Sequence, residues 1–434
     1  MARSFPRVVI TGLGAITPIG NDSASIWQAL VEGRSGIAPI QAFDASKLPS
    51  RIGGEIHDFT PRKYLNRADP RENVALKGLK MMARTIQLAL VASKLAMSDA
   101  GAAPGSIEPS RFGLEFGATM ISIEVDDLVA ASKVSSNGQP GQVDLVTWGK
   151  EGLPSIEPLW MLKFLPNMPA CHISILHDAQ GPSNTITEGE VAGLMAIGEA
   201  VRILRRGQAD FFLTGAADSK LSLLSIARHE LFLPLTRRNE EPKRAVRPFD
   251  QSRDGTAIGE GTTVFAVETL EHAQKRGATI HAEILGFGSA FDTRRDGQGM
   301  ARAMRAALRQ ADLAPGDIDF VSAHGLGSIE FDQIEAKAIA DVFGSGPDAP
   351  AVFGSKGWTG YLGAASGPVE LAFALMAMRH GQLPPTLNCD HPDPACPIRV
   401  HHAGMRPVTK PYFLKLGYTD LGQCAALVVR RWDG

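Results

Sequence analysis

The chain reads as an α/β protein with covered, mainly parallel sheets. Three observations predict this. Apolar runs of strand length recur along the 434 residues, stretches with helical periodicity separate them, and glycine or charge bounds each run. Alternation of this kind places helices on both faces of a sheet, so its strands carry no polar face.

In order, "RVVITGLG" (7–14), "FGLEFGAT" (112–119), "ADFFLTGAA" (209–217) and "TTVFAVE" (262–268) are predicted buried strands. The stretch 121–166 carries weaker signals. Within it "SSNGQPGQVD" is a loop, and the apolar, proline-interrupted "LPSIEPLWMLKFLP" suits either a core cover or a subunit interface or tunnel wall. After Gly277 the strands resume with "HAEILGFGSA", "IDFVSAHG", "PAVFGSKG", "YFLKLGY" and "CAALVVRRW". Between them, "GMARAMRAALRQADL" (299–313) and "DQIEAKAIADVF" (332–343) are predicted helices, and "VELAFALMAMRHG" (369–381) is apolar enough to be a buried one. Both halves open on a strand running into a glycine-rich turn, "VVITGLGAI" and "EILGFGSA". That suggests a duplication, divided as 1–270 and 271–434, although no repeat is visible residue by residue.

Composition excludes several functions. With 44% hydrophobic and 21% charged residues and a formal net charge of -2, the chain has an ordinary globular composition and no basic footprint for nucleic acid. No apolar run approaches roughly 18 residues, so no membrane span is expected. The start moves directly into a strand rather than a signal peptide's apolar core. Cys171, Cys389, Cys396 and Cys424 form no CxxC pattern, disulfide framework or zinc site, and a cytoplasmic location is the expectation. His401 and His402 are adjacent, but neighbours on a strand point to opposite faces, so no metal or cofactor is expected there.

The segment "GPSNTITEGEVAGLMAIGEA" (181–200) is built like the seat of a nucleophile. A strand gives way to a helix, where a Cys or Ser anion would be favoured by the helix dipole. The residue in that seat is Glu190.

Several blocks taken together resemble the elongating β-ketoacyl-[acyl-carrier-protein] synthases. They are "VVITGLGAITPIGND…WQALVEGRSGI", "GPSNTIT…AIGEAVRILRRGQADFFLTGAAD", "RPFDQSRDGTAIGEGTTVFAVE" (247–268), "SAHGLGS" (322–328), "SKGWTGYLGAASGPVE" (355–370) and "LPPTLNCDHPDP" (383–394). The resemblance spans nearly the whole chain in the family's order. It implies a thiolase-like fold, with two pseudo-duplicated halves and stacked mixed sheets between helical layers. It also implies a chemistry in which a Cys takes up an acyl group as a thioester, two His polarise a malonyl thioester, a Lys supports them, and backbone N–H groups form an oxyanion hole.

Carried across residue by residue, the Cys position falls on Glu190 and one His position on His324. The other His position falls on Tyr361, where the family has "TGH", and the Lys position on Lys356. The Thr-rich stretch that contacts a carrier's pantetheine arm here reads Leu326-Gly327-Ser328. The gating loop "GFGGTN" aligns with "TDLGQC" (419–424), including Asp420 and Leu421. A carboxylate cannot hold the thioester that condensation requires. Glu190 is therefore expected to pair with His324 or Lys356 in a retired pocket, and Tyr361, which can also donate a hydrogen bond, is expected to pack.

Other features have structural readings. "RDGTAIGEG" (253–261) lacks the Lys of a P-loop and is expected to be a turn near the site. Asp332 and Glu335 are expected to be hydrogen-bond anchors, and "RRNEEPKR" (237–244) a solvated loop. "RILRRG" (202–207) complements a helix C-terminus or steers an acidic carrier. The function these readings point to is a noncatalytic, chain-length-factor-type subunit that shapes the acyl tunnel, in part through "MISIEVDD" (120–127). Its partner would be a homologous Cys-bearing synthase or a second copy of itself, with an acyl carrier protein as a further partner. The alternative is an acyl-thioester hydrolase or acyltransferase using Glu190 and His324.

Overall fold

The computed structural model describes residues 5–433. Residues 1–4, part of the start read above as unlike a signal peptide, lie outside the described residues, as does residue 434.

Ten strands form the frame. The first five are β1 (Val8–Ile16), β2 (Phe112–Gly117), β3 (Ser183–Ile186), β4 (Phe211–Ser219) and β5 (Ile258–Thr269). The second five are β6 (Ala282–Phe291), β7 (Ile318–Ser322), β8 (Ala351–Phe353), β9 (Tyr412–Tyr418) and β10 (Gln423–Arg431). In space the first set runs β3-β2-β4-β5-β1 and the second β8-β7-β9-β10-β6, the same order with five added to each number. The directions repeat too: in each set the three outer strands pair in parallel and the remaining pairs are antiparallel. The sheets are therefore mixed rather than mainly parallel. A fully buried apolar run does not reveal the direction of its neighbour.

The halves join where β1 and β6 pair antiparallel over Val8–Ile10 and Ala282–Ile284. Helices α2 (Ala192–Arg205) and α6 (Ser366–His380) touch strands of both halves and form the central layer. Their Leu194, Ile197, Val369 and Phe373 share one apolar cluster with Phe265, Phe287 and Phe320 of the strands. Side chains of this size contribute about 1.5–3 kcal/mol each when buried. Helix α1 (Arg84–Asp99) covers the outer face of the first half, and α4 (Gln298–Ala311) that of the second. Two further helices border the site, α3 (Leu223–Phe232) and α5 (Ile329–Phe343).

The glycine motifs that suggested duplication are not turns. Gly12 and Gly14 lie within β1, and Gly286 and Gly288 within β6. A Cβ on any of them would run into a carbonyl oxygen of the covering helix: Ala96 and Ala92 on α1, Ala307 and Ala303 on α4. The repeated G-x-G lets a helix lie directly on its strand, once in each half.

Candidate functional site

The carboxyl ends of the strands from both halves converge, as open α/β sheets do at ligand sites. A cavity of about 450 Å³ opens there. It is lined by Thr119 after β2, Glu188 to Glu190 after β3, Lys220 after β4, Tyr361 between β8 and α6, and Thr419 to Leu421 after β9. Helix α3 adds Arg228, His229 and Phe232. Glu190 and Tyr361 come from equivalent connections of the two halves, each leading from the third strand into the central helix.

Glu190 sits in a single 3-10 turn, Gly189–Val191, that leads into α2. Gly189 has φ +56° and faces Thr419, so the turn needs a residue without a Cβ. Enclosure by protein raises the pKa of Glu190, partly offset by a hydrogen bond from the Tyr361 hydroxyl to its carboxylate. Burial and the neighbouring Glu190 raise Tyr361 well above the ordinary phenol value, so the phenol remains a donor. The Tyr361 backbone is fixed on β5: its N–H donates to Ala257 at 2.7 Å and its carbonyl accepts from Gly259 at 2.8 Å. The "TAIGEG" stretch is thus the strand that seats Tyr361.

Two further residues brace the cavity. Asp218 accepts from Thr119 at 2.6 Å and from the Ala364 N–H at 3.0 Å, and pairs with Lys220 at 3.0 Å. The His229 ring lies 5.6 Å from that of Tyr361, its Nδ1–H donating to the Ser225 carbonyl at 2.7 Å. That bond leaves Nε2 as the acceptor of the neutral ring.

His324 and Lys356 do not line this cavity. They belong to a buried network built on the second half. Lys356 donates to one oxygen of Glu370 at 2.6 Å and Lys415 forms an ion pair with the other at 2.6 Å, and all three side chains are nearly or fully inaccessible. Lys356 also reaches His324 Nδ1 at 3.2 Å. Burial, reinforced by the two lysines, pushes the imidazole well below its ordinary value, so it is neutral. The backbone around it is anchored by acids: Glu335 accepts from the N–H groups of His324 and Gly325, and Asp332 from those of Gly327 and Phe249. Burial pushes these carboxyls up to about 7 and about 6. Buried Arg253 pairs with Asp393 at 2.8 Å and Asp332 at 3.5 Å.

Several expectations change accordingly. Glu190 pairs with neither His324 nor Lys356, because Glu370 already holds Lys356 and the phenol of Tyr361 is nearer. Tyr361 does pack, against Ile226, Leu233, Ile258 and Leu326, but its hydroxyl is engaged as well. Asp420 and Leu421 line the cavity, whereas Leu326 and Ser328 do not. Leu326 is buried in the cluster beside Tyr361, and Ser328 precedes α5 with its carbonyl accepting from Arg253. Asp332 and Glu335 act as structural anchors, as expected, whereas 253–261 is not a turn and runs into β5 from Ile258.

Sequence reasoning missed Lys220, Arg228, His229, Glu370 and Lys415. The last two carried a signal. A lone Lys inside "YFLKLGY" and a lone Glu inside "VELAFALMAM" are ions in buried elements, and such ions need partners.

A duplicated α/β frame with its site at the junction of the halves defines the thiolase-like class. The description "Beta-ketoacyl synthase, N-terminal domain" matches residues 6–273, and "Beta-ketoacyl synthase, C-terminal domain" matches 281–390. The chain is 34% identical to a 3-oxoacyl-[acyl-carrier-protein] synthase 2 of Coxiella burnetii, over 90% of each chain. Among solved structures it is similar to the ishigamide ketosynthase/chain length factor, with TM-score 0.85 and 28% identity over 99% of this chain and 100% of the other. It is also similar to a type II PKS acyl-carrier protein in complex with its ketosynthase bound to the hexaketide, with TM-score 0.83 and 27% identity over 99% and 100%. The chain belongs to the β-ketoacyl synthase family.

Proposed function

We propose that this chain is a noncondensing, chain-length-factor-type member of a type II fatty acid or polyketide system, acting beside a Cys-bearing ketosynthase. The observation that carries the reading is the absence of any thiol from the cavity wall, where Glu190 occupies the nucleophile position and is bonded to Tyr361. The buried thiols elsewhere are not substitutes: burial pushes Cys389, Cys396 and Cys424 up to about 12. No thioester to an acyl group can form at this cavity, so in this reading the thioester that condensation requires is held on a partner's thiol.

The surface supports a partner. Of the twenty large hydrophobic side chains exposed among the described residues, nine fall between 120 and 161, including Met120, Leu145, Leu153 and Leu159. Strand β3 pairs with β2 on one side and is a sheet edge on the other, and an unpaired edge is a template for association. The reading that 120–127 helps to shape an acyl tunnel rests on Met120, which reaches both the apolar surface and the cavity. The division into halves at about 270, and Asp420 and Leu421 as ligand contacts, are part of this proposal.

Co-expression with a Cys-bearing synthase, followed by size-exclusion chromatography and a malonyl-carrier condensation assay, tests it. The expected result is a one-to-one complex whose product length changes when residues of this chain's cavity are altered. A homodimer that never exchanges with such a partner, and that turns over acyl thioesters alone, would overturn the proposal.

A further inference from the structure

The "RILRRG" motif ends α2 at the face opposite Glu190, about 20 Å away for a 14-residue helix. A concavity of about 580 Å³ lies there, well within the size range of small-ligand sites. Four guanidinium groups line it, Arg7, Arg202, Arg205 and Arg206; Glu283 on its wall accepts from Arg7 through both oxygens at 2.7 Å, and Glu199 pairs with Arg202 at 3.3 Å and with Arg206 at 3.0 Å. Complementing the helix C-terminus accounts for Arg202 and Arg205, and Glu283 holds Arg7, which arrives from the other end of the chain.

A guanidinium carries five N–H donors, and the described ion pairs use one nitrogen each of Arg202 and Arg206, which leaves further N–H groups on both. Arg205 is half-buried, and its described hydrogen bonds go to the carbonyls of Leu285 and Ile284, at 2.9 and 3.3 Å, rather than to a carboxylate. Arg202 lies over the Phe287 ring at 5.0 Å and Arg7 over Trp432 at 5.3 Å, which holds both guanidinium planes. Gln310 accepts from the Phe287 N–H through Oε1, leaving its amide NH2 as a donor on the same wall. Phe5 adds an exposed apolar edge. Planar, oriented guanidinium groups match phosphate oxygens in pairs, and a concave wall suits a compact ligand better than the broad face of a protein.

We propose that this concavity binds a small molecule bearing a diphosphate, with Arg202, Arg205 and Arg206 on its oxygens and the apolar edge beside whatever the diphosphate carries. The site is separate from the Glu190 cavity and does not depend on the function proposed for it.

Isothermal titration of the whole protein with sodium pyrophosphate, and in parallel with ADP, tests the proposal. The expected result is one-site binding that weakens by about tenfold or more in Arg202→Gln/Arg206→Gln, whose side chains are exposed. Arg205→Gln provides a second reading, with circular dichroism confirming its fold. Tighter binding of ADP would identify a nucleotide-type ligand, and equal binding a free diphosphate. Absence of binding by both probes would overturn the proposal. So would unchanged binding in the folded variants, or an equal loss in Arg305→Gln, an exposed arginine paired with Asp341 away from the site.

Discussion

The cavity and the network behind it differ in kind. In the network, His324, Lys356, Glu370 and Lys415 are buried and mutually bonded. At the cavity, Glu190, Tyr361, Asp420 and Leu421 border open space. The difference teaches which part of a site is free to change. A buried ion network is part of the fold, because removing one member strands the charges of the others. Residues facing a cavity can be exchanged for new chemistry without that cost.

The sharpest way to break this comparison is Glu370→Ala, which leaves Lys356 and Lys415 buried without their carboxylate. A loss of about 3–5 kcal/mol is expected, read as a fall in the urea midpoint or a failure to accumulate folded protein. Stability within 1 kcal/mol of the parent would mean that the network is ornamental.

Next in size is an attempt to restore the front. If the network is intact, Glu190→Cys combined with Tyr361→His should regain condensation of a malonyl thioester, about 10²-fold above Glu190→Cys alone. Equal rates for the single and double variants would place the defect elsewhere, with the loop at Asp420 the first suspect.

A smaller, pH-dependent effect sharpens the account of Glu190. Its folded pKa lies above its unfolded value. The contribution of Glu190 to stability is therefore fully present below about pH 4.3, the ordinary glutamate value, and is lost as pH rises through the folded value. Glu190→Gln removes that titration, so urea midpoints at pH 5 and pH 8 should show the advantage of the Gln variant growing at the higher pH. A gap independent of pH would show that the carboxylate is fully compensated. The smallest effect belongs to Leu421→Ser. Leu421 is 60% exposed, so stability should change by less than about 0.5 kcal/mol, and any effect should appear in product length in the co-expressed complex.

The sequence alone determined the strand runs and the buried helix α6, because each is written in local pattern, and it hinted at the duplication. G-x-G in β1 and β6 even marked the equivalent positions, though as close packing against a helix rather than as turns. Strand direction, the pairing of Glu190 with Tyr361, the attachment of Lys356 to Glu370 and the basic wall that Arg7 shares with Arg202 were decided only by the tertiary structure. Each depends on which distant segments become neighbours, and on which of several competing partners lies within hydrogen-bonding reach once the two halves have closed on α2 and α6.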